Sequence, residues 1–240
     1  MIVKVCGTRD GDNIRQVAEL GVQWIGLIFW QGSPRQVTMV PTHAGIMPDR
    51  AGGELTAPRR SYKLVGVFVD DMPQNIITRV VAYGLDMVQL HGHETPTMIR
   101  NLRATLVPDM QADLQLIKAI SISTAADLSL CDEYADCVDF FLFDTKCESV
   151  GGSGRHFDWS VLDAYRGQKP YLLSGGIGPD DAEDVRRFVE LHPQCVGIDL
   201  NSRFETAPGQ KDVELLRHFM HELPNSPTPQ LLNSSTPQLL

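Results

Sequence analysis

Eight short apolar runs, separated by longer stretches that can form helices, constrain the fold of this chain more than any other feature. The runs occupy residues 2–6, 24–29, 64–69, 86–90, 115–120, 138–143, 170–174 and 195–200. They are mostly continuous, which is typical of strands that are buried on both faces of a parallel sheet. The stretches between and after them can hold helices at residues 12–20, 73–83, 94–104, 124–134, 158–165, 180–191 and 211–222.

Eight strands with helical connections favour a single α/β domain, a (β/α)8 or TIM barrel, over an open doubly wound sheet. Residues 41–61 are rich in Pro and Gly and show little apolar periodicity, so we expect an irregular second helix region. Residues 224–240 carry no charge and contain the block TPQLL twice. We therefore predict a barrel domain over residues 1–223, followed by a low-complexity, disordered tail over 224–240.

The charge and the cysteines of the chain exclude several classes of partner. A formal net charge of -9 should repel polyanions, so we expect neither nucleic acid nor membrane partners. The five cysteines are odd in number and form no CxxC pair, which argues against a disulfide framework and against a metal site. No signal peptide and no apolar stretch of about 20 residues is present, so we expect a cytoplasmic protein.

Reactive side chains end two of the predicted strands, at the edge where a parallel barrel builds its active site. Cys6 ends the first run and Asp144 ends the sixth. A lone Cys is more often a small buried hydrophobe, although a thiolate can accept a proton once its pKa is lowered. A carboxylate at the end of an apolar strand costs desolvation free energy, so its presence there indicates a function. On the residues alone, structural and catalytic roles both stay open for Cys6.

Three further side chains at this edge can contact a ligand. Arg35 follows the second strand. Its guanidinium can bind a carboxylate, and a solvated surface position is equally compatible with the sequence. Gln89 and His91 alternate along the fourth strand and therefore share one face. A structural role for His91 is as compatible with the sequence as contact with a substrate.

Glycine-rich turns follow the sixth and seventh strands. The first predicts a mobile loop that closes over the site, and its glycines are Gly151, Gly152 and Gly154. The second leads into the helix at 180–191, where backbone N–H groups of Gly175 and Gly176 can bind phosphate. The loop after the eighth strand lies next to it in a barrel and offers three more donors, which are Asn201, Ser202 and Arg203.

The turn after the seventh strand also resembles the start of a GxGxxG dinucleotide motif, through Gly176 and Gly178, with Asp199 about twenty residues further on. Asp181 occupies the third glycine position, where we expect a carboxylate to oppose close packing of helix against strand. The strand is also the seventh of eight rather than the first of a βαβ unit. The sequence therefore disfavours a dinucleotide site.

Seven motifs in order resemble the phosphoribosylanthranilate isomerase family over about residues 1–222. They are KVCGTRD, SPRQV, VGVFVD, VQLHG, FDTK with GGSGRHFDW, LSGGIGPDDAEDV and GIDLNSRFETAPGQKD. The chain departs from the family at Asn201-Ser202-Arg203, where Ser-Ser-Gly is common. An Arg side chain at this point can take over part of a phosphate grip that others make with backbone.

The resemblance implies an Amadori rearrangement of N-(5-phosphoribosyl)anthranilate in tryptophan biosynthesis, catalysed without a cofactor because the imine of the opened sugar is the electron sink. It assigns Asp144 as the general acid and Cys6 as the general base. Arg35 would hold the anthranilate carboxylate, and the loops after the seventh and eighth strands would hold the phosphate. The implied partner is a small phosphosugar, and the assembly is a monomer or homodimer.

Three other functions compete with the one that the resemblance implies. Indole-glycerol-phosphate synthase needs a catalytic Lys at a strand end, and Lys146 lies beyond Asp144 in the loop. The histidine-pathway isomerase carries Asp where this chain has Cys6. A non-catalytic phosphate-binding barrel is the third, and the joint presence of Cys6 and Asp144 argues against it.

Overall fold

Eight parallel strands close into a barrel in the computed structural model, which describes residues 1–38, 60–107, 112–145 and 159–223. The strands are β1 Ile2–Cys6, β2 Trp24–Ile28, β3 Lys63–Phe68, β4 Met87–Leu90, β5 Gln115–Ile122, β6 Phe140–Thr145, β7 Tyr171–Ser174 and β8 Cys195–Leu200. Each strand pairs in parallel with its neighbour in sequence, and β1 closes the ring against β8. The predicted barrel is confirmed, and each predicted run overlaps an observed strand.

Apolar side chains fill both sides of the strand ring. The interior of the barrel is packed by Trp24, Val65, Met87, Ile117, Ala119, Leu142 and Leu172. A larger cluster lies between the outer face of the strands and the surrounding helices. Because both faces are buried, the strands need apolar residues at nearly every position, which explains the continuous runs in the sequence.

Six α-helices are present in the described residues, and local sequence signals fix where several of them begin. They are α1 Gly11–Glu19, α2 Pro73–Tyr83, α3 Pro96–Leu106, α4 Leu130–Tyr134, α5 Ala182–Leu191 and α6 Val213–Glu222. The side chain of Asp10 accepts from Asn13 N at the start of α1, and Asp212 caps α6 in the same way. Pro occupies the first turn of α2 and α3, where its missing N–H costs nothing.

Two predicted helices are shorter or tighter than the sequence indicated. The segment 124–134 begins as a 3₁₀ turn at Ala125–Ser129 before α4, and 158–165 contains a 3₁₀ helix at Trp159–Ala164. Asp127 Oδ2 accepts from the backbone N–H of Ser123 and Thr124, at 2.8 Å each, which tightens that first turn. The prediction of full α-helix in these two segments was therefore wrong.

An antiparallel hairpin after β8 is an addition that the sequence patterns did not predict. It is formed by β9 Glu205–Ala207 and β10 Gln210–Lys211. The predicted irregular region at 41–61 lies outside the described residues except for its last two positions, and so does the tail at 224–240. Within the described part of the chain, no helix is both long enough and apolar enough to cross a bilayer.

Candidate active site

A pocket of about 200 Å³ opens at the carboxyl end of the strands. Nine of the predicted site residues line it together, namely Cys6, Gln89, His91, Asp144, Gly175, Gly176, Asn201, Ser202 and Arg203. Its remaining lining comes from Ile28, Val67, Ser174, Ile177 and Asp199. Residues from seven of the eight strands and their loops thus converge on one space. Gly151, Gly152 and Gly154 lie outside the described residues, so the loop prediction for them stays a prediction.

Cys6 lies at the floor of the pocket, only 3% exposed, because the adjacent strand makes room for its sulfur. A Cβ placed on Gly26 of β2 would stand 2.7 Å from Cys6 Sγ, so only glycine is compatible with this packing. Burial raises the pKa of the Cys6 thiol above its ordinary value, while the ammonium groups of Lys4 and Lys211 act in the opposite direction. The thiol is therefore shielded from water and faces two cations.

Asp144 stands across the pocket in a polar setting. Its Oδ2 lies 3.5 Å from Nε2 of His91, and both side chains remain about one-third exposed. The nitrogen Nδ1 of His91 lies 3.0 Å from Nε2 of Gln89. With the Gln89 amide donating to Nδ1, the imidazole hydrogen is on Nε2, the nitrogen nearer to Asp144. The pairing gives His91 a positioning contact with the proposed acid, which sequence spacing alone could not supply.

The glycine turn after β7 and the loop after β8 meet at one side of the pocket. Gly175 and Gly176 adopt φ of 94° and 70°, a backbone region that favours glycine. A Cβ on Gly178 would lie 3.9 Å from Cδ of Arg203, so the Arg203 side chain runs over this turn. Backbone N–H groups and a guanidinium therefore share the place where barrels commonly bind phosphate.

Asp181 corrects one expectation about this turn. The sequence suggested that a carboxylate would oppose close packing there, yet Asp181 is buried, and its Oδ2 accepts from Gly178 N at 2.6 Å. The side chain satisfies a backbone donor of the turn, which offsets its desolvation. The topology still disfavours a dinucleotide site, because the closed barrel is not a dinucleotide-binding βαβ sheet.

Arg35 lies beside the pocket and is held by an acid of the β9–β10 hairpin. Its Nε and Nη2 donate to the carboxylate of Glu205 at 2.7–2.9 Å. Glu205 also accepts from Lys211 Nζ at 2.7 Å, and the same ammonium donates to Asn201 Oδ1 at 2.9 Å. A Cβ on Gly7 (φ 78°) would stand 2.7 Å from both Arg35 Cδ and Asn201 Oδ1, so glycine permits this close approach.

Sequence reasoning missed four charged residues of this region. They are Lys4, Asp199 as a partner of Lys4, Glu205 and Lys211. Lys4 and Cys6 alternate along β1, so a period-two pattern could have placed both on one face. Glu205 and Lys211 belong to the last of the seven motifs, but nothing local in the sequence pairs them with Arg35, which is 170 residues away from Glu205.

Comparison with known families decides among the phosphosugar barrels. Residues 3–222 match the family model described as N-(5'phosphoribosyl)anthranilate (PRA) isomerase. The chain belongs to this family. The family prediction made from the seven motifs is thereby confirmed, and the match reaches from β1 to the end of α6.

Individual PRA isomerases are similar along nearly the whole chain. N-(5'-phosphoribosyl)anthranilate isomerase of Parabacteroides distasonis is 44% identical over 93% of this chain and 93% of its own length. The crystal structure of the Thermotoga maritima PRA isomerase is 30% identical with a TM-score of 0.70, covering 92% of this chain and 98% of that one. A further PRA isomerase structure, 27% identical with a TM-score of 0.68 over 92% and 98% of the two chains, holds reduced 1-(o-carboxyphenylamino)-1-deoxyribulose 5-phosphate.

Proposed function

We propose that the pocket at the barrel mouth is where this isomerase of tryptophan biosynthesis rearranges phosphoribosylanthranilate, with Cys6 as general base and Asp144 as general acid. The observation that carries the proposal is their joint position in one 200 Å³ pocket, beside a turn and a loop suited to phosphate. A structural cysteine would not require an adjacent glycine to bring its sulfur to the floor of that pocket.

Asp144 performs the first step in this proposal. It gives its proton to the ring oxygen of the furanose while the amine nitrogen donates its lone pair, so the C1–O bond breaks and a protonated Schiff base forms. Its partial exposure and its contact with His91 let the carboxylate regain a proton for the next turnover. A positioned acid of this kind contributes about 10²–10⁴ in rate.

Cys6 performs the second step as a thiolate. It removes the proton from ribose C2, the electron pair of that C–H bond forms the C1=C2 double bond, and the C1=N π pair moves to nitrogen; the resulting enolamine tautomerises to the ketone. Proximity to Lys4 and Lys211 supplies positive charge next to the sulfur, which the buried thiolate requires.

The two ends of the substrate are held by groups on either side of these residues. The N–H groups of Gly175, Gly176 and Ser202, together with Arg203, would bind the phosphate, since these four residues line the pocket. Arg35 is held at the neighbouring rim, where its guanidinium can meet the anthranilate carboxylate. A related PRA isomerase binds a reduced product that carries both a carboxyphenyl group and a phosphate, which supports this two-ended arrangement.

Steady-state turnover of two variants tests the catalytic assignments. The loss of phosphoribosylanthranilate fluorescence is followed for the parent chain, Cys6→Ser and Asp144→Asn. We expect each variant to lose about 10²–10⁴ in kcat, because a hydroxyl is far harder to ionise than a thiol and an amide carries no acidic proton. Melting temperatures should stay near that of the parent.

Cys195→Ser is the matched control for the sulfur-to-oxygen change. Cys195 is also a buried strand cysteine, but it begins β8 at the opposite end of the barrel. Its variant should keep the parent kcat. A Cys6→Ser enzyme that also keeps the parent kcat would overturn the assignment of Cys6 as the base.

A further inference from the structure

A buried ion pair lies inside the barrel directly beside Cys6, and the reaction steps above do not use it. Lys4 Nζ donates to Asp199 Oδ1 at 2.7 Å, and the Lys4 side chain is fully buried. Ser174 Oγ contacts the other carboxylate oxygen of Asp199 at 3.3 Å. Lys4 and Cys6 are two residues apart on β1 and share its inner face, so the ammonium is a near neighbour of the Cys6 thiol, and its charge lowers the pKa of that thiol.

Stability does not explain why this pair lies in the barrel interior. Moving two charges out of water is costly, and replacing a buried ion pair with apolar residues is often neutral or stabilising. The neighbouring interior layer is apolar throughout, with Trp24 next to Lys4 across the β1–β2 pairing. An all-apolar interior would have continued that layer without the desolvation cost.

We propose that Lys4 is a positioning residue for the reaction, because its ammonium, held by Asp199, is the countercharge that lets the buried Cys6 act as a thiolate. The inference rests on the proposed function of Cys6 as the base. Lys4 has donors for both neighbours, so it can bind Asp199 with one N–H and the sulfur with another. Asp199 keeps the ammonium charged, and the paired charges fix its position under the thiol.

Other charged groups near Cys6 are less well placed for this role. Lys211 acts on the thiol from the hairpin, but its ammonium is engaged by Glu205 and Asn201. Arg35 interacts with Cys6 electrostatically, and its guanidinium is engaged by Glu205. His91, Asp144 and Arg203 line the same pocket from other strands. Lys4 differs from these groups because it lies on the same strand face as Cys6, two residues away on β1.

The ionisation of Cys6 itself provides the test. Cysteine is labelled with carbon-13 at Cβ, and the Cys6 signal is identified by its loss in Cys6→Ser. Its shift is then followed from neutral to alkaline pH in the parent, in Lys4→Met and in Lys4→Met/Asp199→Asn. We expect the pKa of Cys6 to rise by about 1–3 in Lys4→Met, the change that losing one adjacent opposite charge produces. The rise should be smaller in the double variant, which also loses the Asp199 carboxylate that raises this pKa.

The double variant keeps the test valid if Lys4→Met fails to fold, because it leaves no unpaired charge in the interior. Lys118→Met/Glu94→Gln is the matched control: it removes another buried ion pair, with 3.1 Å between Nζ and Oε2, on the outer face of β5. That variant should leave the titration of Cys6 unchanged. A Cys6 titration in the double variant that matches the parent would overturn the proposal.

Turnover links the titration to catalysis. For Lys4→Met we expect kcat at neutral pH to fall about 10- to 1000-fold, matching the lower thiolate fraction, with KM nearly unchanged and kcat recovering toward alkaline pH. A purely structural role would not produce this alkaline recovery. A raised Cys6 pKa with parent-like kcat would also overturn the proposal. Failure of the base assignment is detected separately, by parent-like kcat in Cys6→Ser.

Discussion

Arg35 and Arg203 both lie at the barrel mouth but in opposite environments. Arg35 is mostly buried and makes a bidentate contact with Glu205. Arg203 is exposed, and among the described residues no carboxylate pairs with it, so its guanidinium is available beside Gly178. The two residues should therefore serve different ends of the substrate, although position along the sequence does not separate them.

Calorimetric titration with inorganic phosphate distinguishes them. Arg203→Ala should weaken phosphate binding about 10- to 150-fold, the value of one charge-assisted contact of about 1.5–3 kcal/mol. Arg35→Ala should leave phosphate binding unchanged and raise KM for the full substrate. Arg187→Ala, an exposed Arg of α5, controls for the loss of one positive charge. Equal phosphate affinity in Arg203→Ala and the parent would assign the site to backbone amides alone.

A site residue can be predicted from the sequence only where the neighbouring residues mark it. Cys6, His91 and Asp144 are recognisable because each follows an apolar run and so must lie at the active edge of a barrel. Glu205 has no such cue, because its importance comes from pairing with Arg35 through the folded ring. Asp181 was misjudged for a similar reason, since only the folded turn reveals the Gly178 N–H that it satisfies.

At the scale of elements, the β9–β10 hairpin carries the support for Arg35. It brings Lys211 Nζ within 2.7 Å of Glu205 Oε1, and Glu205 in turn accepts from Arg35 in the loop after β2. Burial opposes the ionisation of Glu205, but hydrogen bonds from Arg35 and Lys211 outweigh it and hold its pKa below the ordinary value. A carboxylate with a lowered pKa stabilises the fold above its unfolded pKa, and this contribution is lost as the pH falls.

Glu205→Gln should therefore act on both substrate binding and acid stability. We expect a higher KM with a smaller change in kcat, because Arg35 loses its fixed orientation. We also expect a loss of about 1–3 kcal/mol in the free energy of unfolding at neutral pH, measured in urea. The difference from the parent should shrink as the pH falls below the ordinary glutamate pKa of about 4.3, and disappear once the pH has passed the lowered pKa of folded Glu205.

Glu183→Gln provides the comparison, because Glu183 pairs with Arg186 on the exposed face of α5. An exposed pair contributes little to stability, so this variant should stay near the parent at every pH. A Glu205→Gln variant with the same unfolding curve and the same KM as the parent would show that the hairpin does not position Arg35.

Most of the strands and helices were predictable from the sequence. The wrong or missing predictions have local causes. Continuous apolar runs marked all eight strands because a closed parallel barrel buries both faces of each. The helix predicted at 124–134 was wrong in its first part because Asp127 caps its own turn and tightens it. The β9–β10 hairpin is too short to leave a periodic pattern, so only the fold reveals it.

At the scale of the whole molecule, all eight strands of the barrel and the six described helices lie within residues 1–223. Leu216, Phe219 and Leu223 are buried at its end, so the last described helix already covers the strand ring. Deletion of residues 224–240 should change neither the melting temperature nor kcat. Calorimetry that shows a drop of several degrees, more than about 1 kcal/mol for a domain this size, would contradict this prediction.

A kinetic isotope effect tests most directly whether Asp144 opens the sugar ring and Cys6 removes the C2 proton. The substrate is labelled with deuterium at ribose C2, and kcat is compared with that of unlabelled substrate in the parent, Cys6→Ser and Asp144→Asn. Removal of this hydrogen is the step assigned to Cys6, so it should limit Cys6→Ser and give a large isotope effect. Ring opening should limit Asp144→Asn, which should show an effect near unity. The reverse pattern, or equal effects in both variants, would contradict the account.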